Sequence, residues 1–201
     1  MKLKYLKTFE GYKLEPHRNY EEREEIYKQK YIKLFNTEVI NGNLDLSDLK
    51  IKDFLYTDLH KIKEINGNLI IRNNTFLTSL FPLEKVNNIH IYNTNIKKLG
   101  NIKEVTGYFY CYNSQLTSLE GAPKKVNGNF ICPNNKLISL KGVLKEINGS
   151  FSCSHNQLIS LEGAPKKVNG NFYCDNNPAL TEKDIEWLKQ NCNIKGKIIW
   201  K

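Results

Sequence analysis

The sequence predicts a solenoid: short coils stacked side by side, with a curved parallel β-sheet on the concave face and an extended, polyproline-like convex side. Three observations predict it. The segment SLEGAPKKVNGNF occurs at Ser118 and again, letter for letter, at Ser160, with the diverged SLKGVLKEINGSF at Ser139 between them. Aligned on the glycine of that segment, Gly107, Gly128, Gly149 and Gly170 fall 21 residues apart, a period in the range of stacked repeat architectures. Beyond each glycine, Phe109, Phe130, Phe151 or Phe172 comes two positions on, and Cys111, Cys132, Cys153 or Cys174 two further. That alternation is the period of a short strand with one buried side.

The elements follow in chain order. Residues 1–40 are expected to form an N-terminal segment whose amphipathic helix, Tyr20 to Phe35, places Tyr27, Tyr31, Leu34 and Phe35 on one face and covers the open end of the stack. Residues 41–180 carry the repeats. The first three, NGNLDLSDLKI from Asn41, NGNLIIRNNTF from Asn66 and NNIHIYNTNI from Asn87, drift from the regular spacing. From Gly107 onward the unit is regular, with Ser114, Asn135, Asn156 and Asn177 following the cysteine position, then Leu116, Leu137 and Leu158, then Leu119, Leu140 and Leu161. Eight residues separate Leu119 from Gly128, too few for a helix and two turns, so Pro123, Pro165 and Pro82 are expected to set an extended return. In residues 181–201, Thr181 and Asp184 form a capping pair for a helix from Glu182 to Gln190, with Ile185 and Leu188 facing the last coil, and IKGKIIW adds a closing strand.

Composition bounds the function. A chain of 201 residues with 40% hydrophobic content can bury a core. Its start, MKLKYLKTFE, lacks the apolar run of a signal peptide, and no stretch approaches the roughly 20 apolar residues that span a bilayer. A soluble, cytoplasmic protein without a membrane partner is expected. Five cysteines read as reduced thiols, the four of one repeat column packed in the core and Cys192 in the C-terminal cap. They lack the paired spacing of a zinc site, so no metal and no cofactor is expected. His17, His60, His90 and His155 make no nucleophile and base constellation, and no catalytic residue is assigned.

Written out, the unit F-x-C-x-x-N-x-L-x-x-L resembles the leucine-rich repeat signature L-x-L-x-x-N-x-L, with Phe and Cys in the first two leucine positions. The block S-L-x-G-x-P-x-x-V-x-G-x-F-x-C is similar to short bacterial repeats and to those of proteins encoded by tailed bacteriophages. The resemblance covers about residues 41 to 180, with Thr94 departing from it at the asparagine position. It implies an asparagine that serves as an internal polar rung, a concave face that binds proteins, and no catalytic motif. For a phage protein it implies residence in the host cytoplasm and a host factor, a defence component or a structural role in the virion.

Two surfaces are candidates. Residues flanking the buried Phe and Cys point outward from the sheet, so His90, Tyr92, Tyr108, Tyr110, Tyr112, Ile131 and Tyr173 are expected to share the concave face and bind a protein partner. The alternative is a ridge of Lys103, Lys124, Lys125, Lys145, Lys166 and Lys167 that attracts nucleic acid or an anionic surface, in keeping with a net charge of +9. Glu104 and Glu146 dilute that ridge.

Overall fold

The computed structural model describes residues 37–47 and 59–201. The expected helix Tyr20 to Phe35 lies outside the described residues. The described residues form a parallel β-solenoid of about six turns with a short helix near the C-terminus. Its strands in order are β1 (Val39–Ile40), β2 (Leu44–Asp45), β3 (Glu64–Arg72), β4 (Lys85–Tyr92), β5 (Glu104–Val105), β6 (Phe109–Tyr112), β7 (Lys125–Val126), β8 (Phe130–Ile131), β9 (Glu146–Ile147), β10 (Phe151–Ser152), β11 (Lys167–Val168) and β12 (Phe172–Tyr173). Helix α1 (Glu182–Asn191) follows, then β13 (Asn193–Ile194) and β14 (Ile198–Ile199).

Each regular coil contributes two strands, one on either side of its glycine, where the sequence predicts one. The trailing ribbon, β6, β8, β10, β12 and β14, pairs in parallel with Phe109, Phe130, Phe151 and Phe172 in register. The leading ribbon includes β5, β7, β9, β11 and β13, and in β3 and β4 the two ribbons merge into single strands of nine and eight residues. The leading strands are two residues long, such as Lys125–Val126, so period-two alternation has no length in which to declare itself. Their signal is the column Val105, Val126, Ile147 and Val168, all buried. The segment before the glycine is therefore a β-ribbon and not part of the extended return. The return itself turns at Gly121, Gly142 and Gly163, and contains no helix.

Three sides close on one core. Phe109, Phe130, Phe151 and Phe172 are fully buried and stack ring on ring, with centroids 4.6, 5.8 and 5.1 Å apart. Burying each such ring contributes about 1.5–3 kcal/mol. The cysteine column continues this wall, and Leu116, Leu137, Leu158, Leu119, Leu140 and Leu161 fill the opposite side. Across the core, each amide rung joins two successive coils. Asn135 donates to the carbonyls of Cys111, Cys132 and Pro133 and accepts the N–H of Leu116. Asn177 repeats the pattern with Cys153, Cys174, Asp175 and Leu158. Where Thr94 and Ser114 replace the amide, their hydroxyls bond each other at 2.9 Å.

Ahead of each rung the backbone turns a left-handed corner at Asn73, Asn93, Asn113, Asn134, His155 and Asn176, with φ between 49° and 53°. Asparagine tolerates this region better than other side chains, which explains why the rung is so often the second letter of an Asn-Asn pair. At the glycines, successive coils touch backbone to backbone: Gly128 N–H donates to Gly107 O at 2.8 Å, Gly149 to Gly128 at 3.1 Å and Gly170 to Gly149 at 2.9 Å.

Helix α1 begins at Thr181, whose N–H and hydroxyl both donate to the Asp184 carboxylate, at 2.9 and 2.8 Å. It runs one residue past the expected end, and Ile185 and Leu188 are buried. The IKGKIIW segment supplies β14, paired with β12.

The thiols give a test of this core. Burial pushes Cys111 and Cys174 up to about 12 and Cys132 and Cys153 well above their ordinary value. Cys192 is only partly buried; burial raises its pKa and nearby Lys166 opposes the shift. A disulfide-exchange reagent at pH 8 is expected to modify Cys192 in the native protein and the four column cysteines only with denaturant, as counted by intact mass.

Candidate functional site

The trailing ribbon sends Phe and Cys inward, so the residues between them line its solvent side. Parallel pairing places Ile70, His90, Tyr110, Ile131, Ser152, Tyr173 and Ile199 in one row across the coils. A second row runs Arg72, Tyr92, Tyr112. Here β4 and β6 bring five of the predicted residues into two adjoining groups. His90 meets Tyr108 edge-on at 4.8 Å and Tyr110 at 5.7 Å, while Tyr108 and Tyr110 stack at 4.4 Å. Tyr92 and Tyr112 lie 4.8 Å apart on the next row.

These rings are held in place. His90 Nε2 hydrogen-bonds the Tyr108 hydroxyl. Burial lowers the His90 pKa and the Arg72 guanidinium lowers it further, so the imidazole is neutral at pH 7. Asn129 donates its amide to the Tyr110 hydroxyl at 3.3 Å. A partner meeting such rings orders few side chains on binding. Ile131 sits at the edge of the group, beside Tyr110. Tyr173 is set apart, because the row falls at Ser152, small and buried between Ile131 and Tyr173.

Sequence reasoning missed the residue directly after the glycine position, which is held by Asn87 in the coil of Asn88. Asn88, Asn129, Ser150 and Asn171 accept the backbone N–H of the following coil, from Tyr108, Ser150, Asn171 and Lys197 respectively, at 2.8–3.0 Å. The recurrent Asn-Gly-Asn was the available signal. Arg72 was also missed; its place beside Tyr92 emerges only from strand register.

The lysines lie on and just before the leading strands, across the glycines from the tyrosines, and half of them are paired. Lys103 bridges to Glu84, Lys125 to Glu104 at 2.7 Å and Lys167 to Glu146 at 3.2 Å. Each pair joins neighbouring coils, so the carboxylates neutralise the ridge at those positions. Lys124, Lys145 and Lys166 are exposed, with no ion pair among the described residues.

Ser154, His155 and Asp175 also meet. The Ser154 hydroxyl donates to one carboxylate oxygen of Asp175, and His155 Nε2 lies 3.8 Å from the other while bonding Asn176. Burial raises the Asp175 pKa, but hydrogen bonds from Ser154 and Asn176, with the nearby His155, outweigh it and leave the carboxyl below its ordinary range. The serine proton is directed to a carboxylate and not to the imidazole, an arrangement that braces two coils.

Among the described residues no helix is long and apolar enough to cross a membrane. The fold and surfaces define a parallel β-solenoid repeat protein. Comparison with protein families, curated proteins and solved structures returns no match to this chain.

Proposed function

We propose that this protein is a non-catalytic binding module that grips a protein partner on the solvent side of its trailing ribbon. One observation carries the reading: the closely packed, partly exposed rings of His90, Tyr92, Tyr108, Tyr110 and Tyr112, with His90 hydrogen-bonded to Tyr108 and Tyr110 to Asn129. Tyrosine gives large contact area at low entropic cost and recurs at interface hot spots. We read the coils as leucine-rich repeats of the short bacterial or phage type, with this ribbon as the concave face. The amide rungs, each joining a coil to the one before it, support that reading. The setting it suggests is a phage-encoded protein acting on a host factor in the host cytoplasm.

The test is capture from lysate of the native cell under nuclease, identification of the retained protein, and titration of that protein in pure form. Tyr110→Ala with Tyr112→Ala is expected to weaken binding by about 100-fold, the loss of two hot-spot rings. Folding should survive, since cross-strand aromatic pairs contribute only about 0.2–1 kcal/mol each. Equal binding by the double variant would remove this face from consideration.

A further inference from the structure

The two charged columns of the leading ribbon differ in one respect. In the column Glu64, Lys85, Glu104, Lys125, Glu146 and Lys167, charge alternates at every coil. One position earlier, the column begins in the same way with Glu38, Lys63, Glu84 and Lys103, and Lys63 pairs with Glu38 at 2.9 Å. There the alternation stops, and the next three coils place Lys124, Lys145 and Lys166 in succession. Neighbouring parallel strands are about 4.8 Å apart, so three like charges repeat at that interval along the solenoid axis.

Folding does not call for this row. The first half of the same column and the whole of its neighbour meet the same backbone geometry with opposite charges, which attract from coil to coil. Three stacked lysines repel instead, and an anion laid along them relieves the repulsion. At its C-terminal end the row meets an aromatic ring, since the Lys166 ammonium lies 5.8 Å from the ring centroid of the partly buried Trp187.

We propose that Lys124, Lys145 and Lys166 form a docking strip for the phosphodiester backbone of a single-stranded nucleic acid running along the solenoid axis, with Trp187 offering a ring for one base. The pitch of the row is set by the coils. A flexible single strand can adapt its phosphates to successive coils, whereas a rigid duplex holds its phosphates at a fixed helical spacing. A basic track beside an aromatic ring is the combination that holds single strands without sequence preference. The strip lies on the leading ribbon and is independent of the tyrosine reading.

The test is fluorescence anisotropy of labelled oligo(dT) with the full-length protein over a series of salt concentrations, beside labelled poly-glutamate of similar length. Neutralising three phosphates of a single strand predicts a slope of log K against log salt of about −2. The triple variant K124Q/K145Q/K166Q is expected to lose about tenfold or more in affinity at low salt and most of that slope. The triple variant K103Q/K125Q/K167Q, with the same change in net charge at paired positions, is expected to keep the slope. Absence of oligo(dT) binding at low salt overturns the proposal, as does equal loss in both variants, which would reduce the effect to bulk charge. Tighter binding of poly-glutamate than of oligo(dT) also overturns it, in favour of an acidic protein.

Discussion

Replacing Asn156 by leucine is expected to remove about 3–5 kcal/mol of stability and to lower the melting temperature by on the order of 10 °C. The side chain is 5% exposed, so water cannot take its place. Its amide nitrogen donates to the carbonyls of Cys132, Cys153 and Ser154 at 3.0–3.1 Å, and its oxygen accepts the Leu137 N–H at 3.0 Å. Leucine fills the volume but orphans the Leu137 N–H, at about 1–3 kcal/mol, and takes one of two donors from each of the three carbonyls, at about 0.5–1.5 kcal/mol apiece. The damage falls on two successive coils. Thermal and urea denaturation followed by circular dichroism measures it, with Gln157→Leu, an exposed neighbour, expected to change stability by less than about 0.5 kcal/mol. A loss below about 1 kcal/mol in the Asn156 variant would mean that the rung is not what joins the coils.

The second large effect is expected from Gly149→Ala. A methyl group there would lie 2.8 Å from the Gly128 carbonyl carbon, 2.8 Å from the Asn129 nitrogen and 2.3 Å from Asn129 Oδ1. Two of those three are backbone atoms and cannot swing aside. Making room requires parting two coils joined by the Gly149 N–H bond to Gly128 and, on the other side, by the Gly170 N–H bond to Gly149. The cost is expected to reach about 3 kcal/mol, the upper part of the range for overpacking a tight interior. Soluble yield, denaturation midpoint and amide chemical-shift dispersion report it. Lys145→Ala, an exposed change four residues away, is the matched control and is expected to be nearly silent.

Much of this fold was legible in the sequence because its periodic residues do one job each. The glycines, phenylalanines and cysteines mark where backbones touch and where side chains turn inward, and their spacing states both facts without tertiary information. The leading ribbon was not legible because Lys125–Val126 and its equivalents are only two residues long, below the length at which a pattern separates strand from loop. The His90, Tyr108 and Tyr110 group was legible from alternation, but its rigidity was not, since Asn129 reaches Tyr110 across 19 positions of sequence. The ion pairs from Lys125 to Glu104 and from Lys167 to Glu146 are hidden for the same reason, each spanning 21 residues. Counting lysines therefore made the ridge look broader than three unpaired charges.

From Gly107 to Gly170, each coil meets the next through the same groups: ring on ring, glycine N–H to glycine carbonyl, and rung amide to the carbonyl of the coil before. Interchangeable joints make the coil a unit of length. One more copy of the 21-residue unit extends the solenoid by about 4.8 Å while both ends stay as they were. The verbatim recurrence of SLEGAPKKVNGNF is the trace that in-frame copying leaves. Reach, as distinct from affinity, is then an inherited dimension of this protein, altered in whole steps by a slip in copying rather than by gradual substitution.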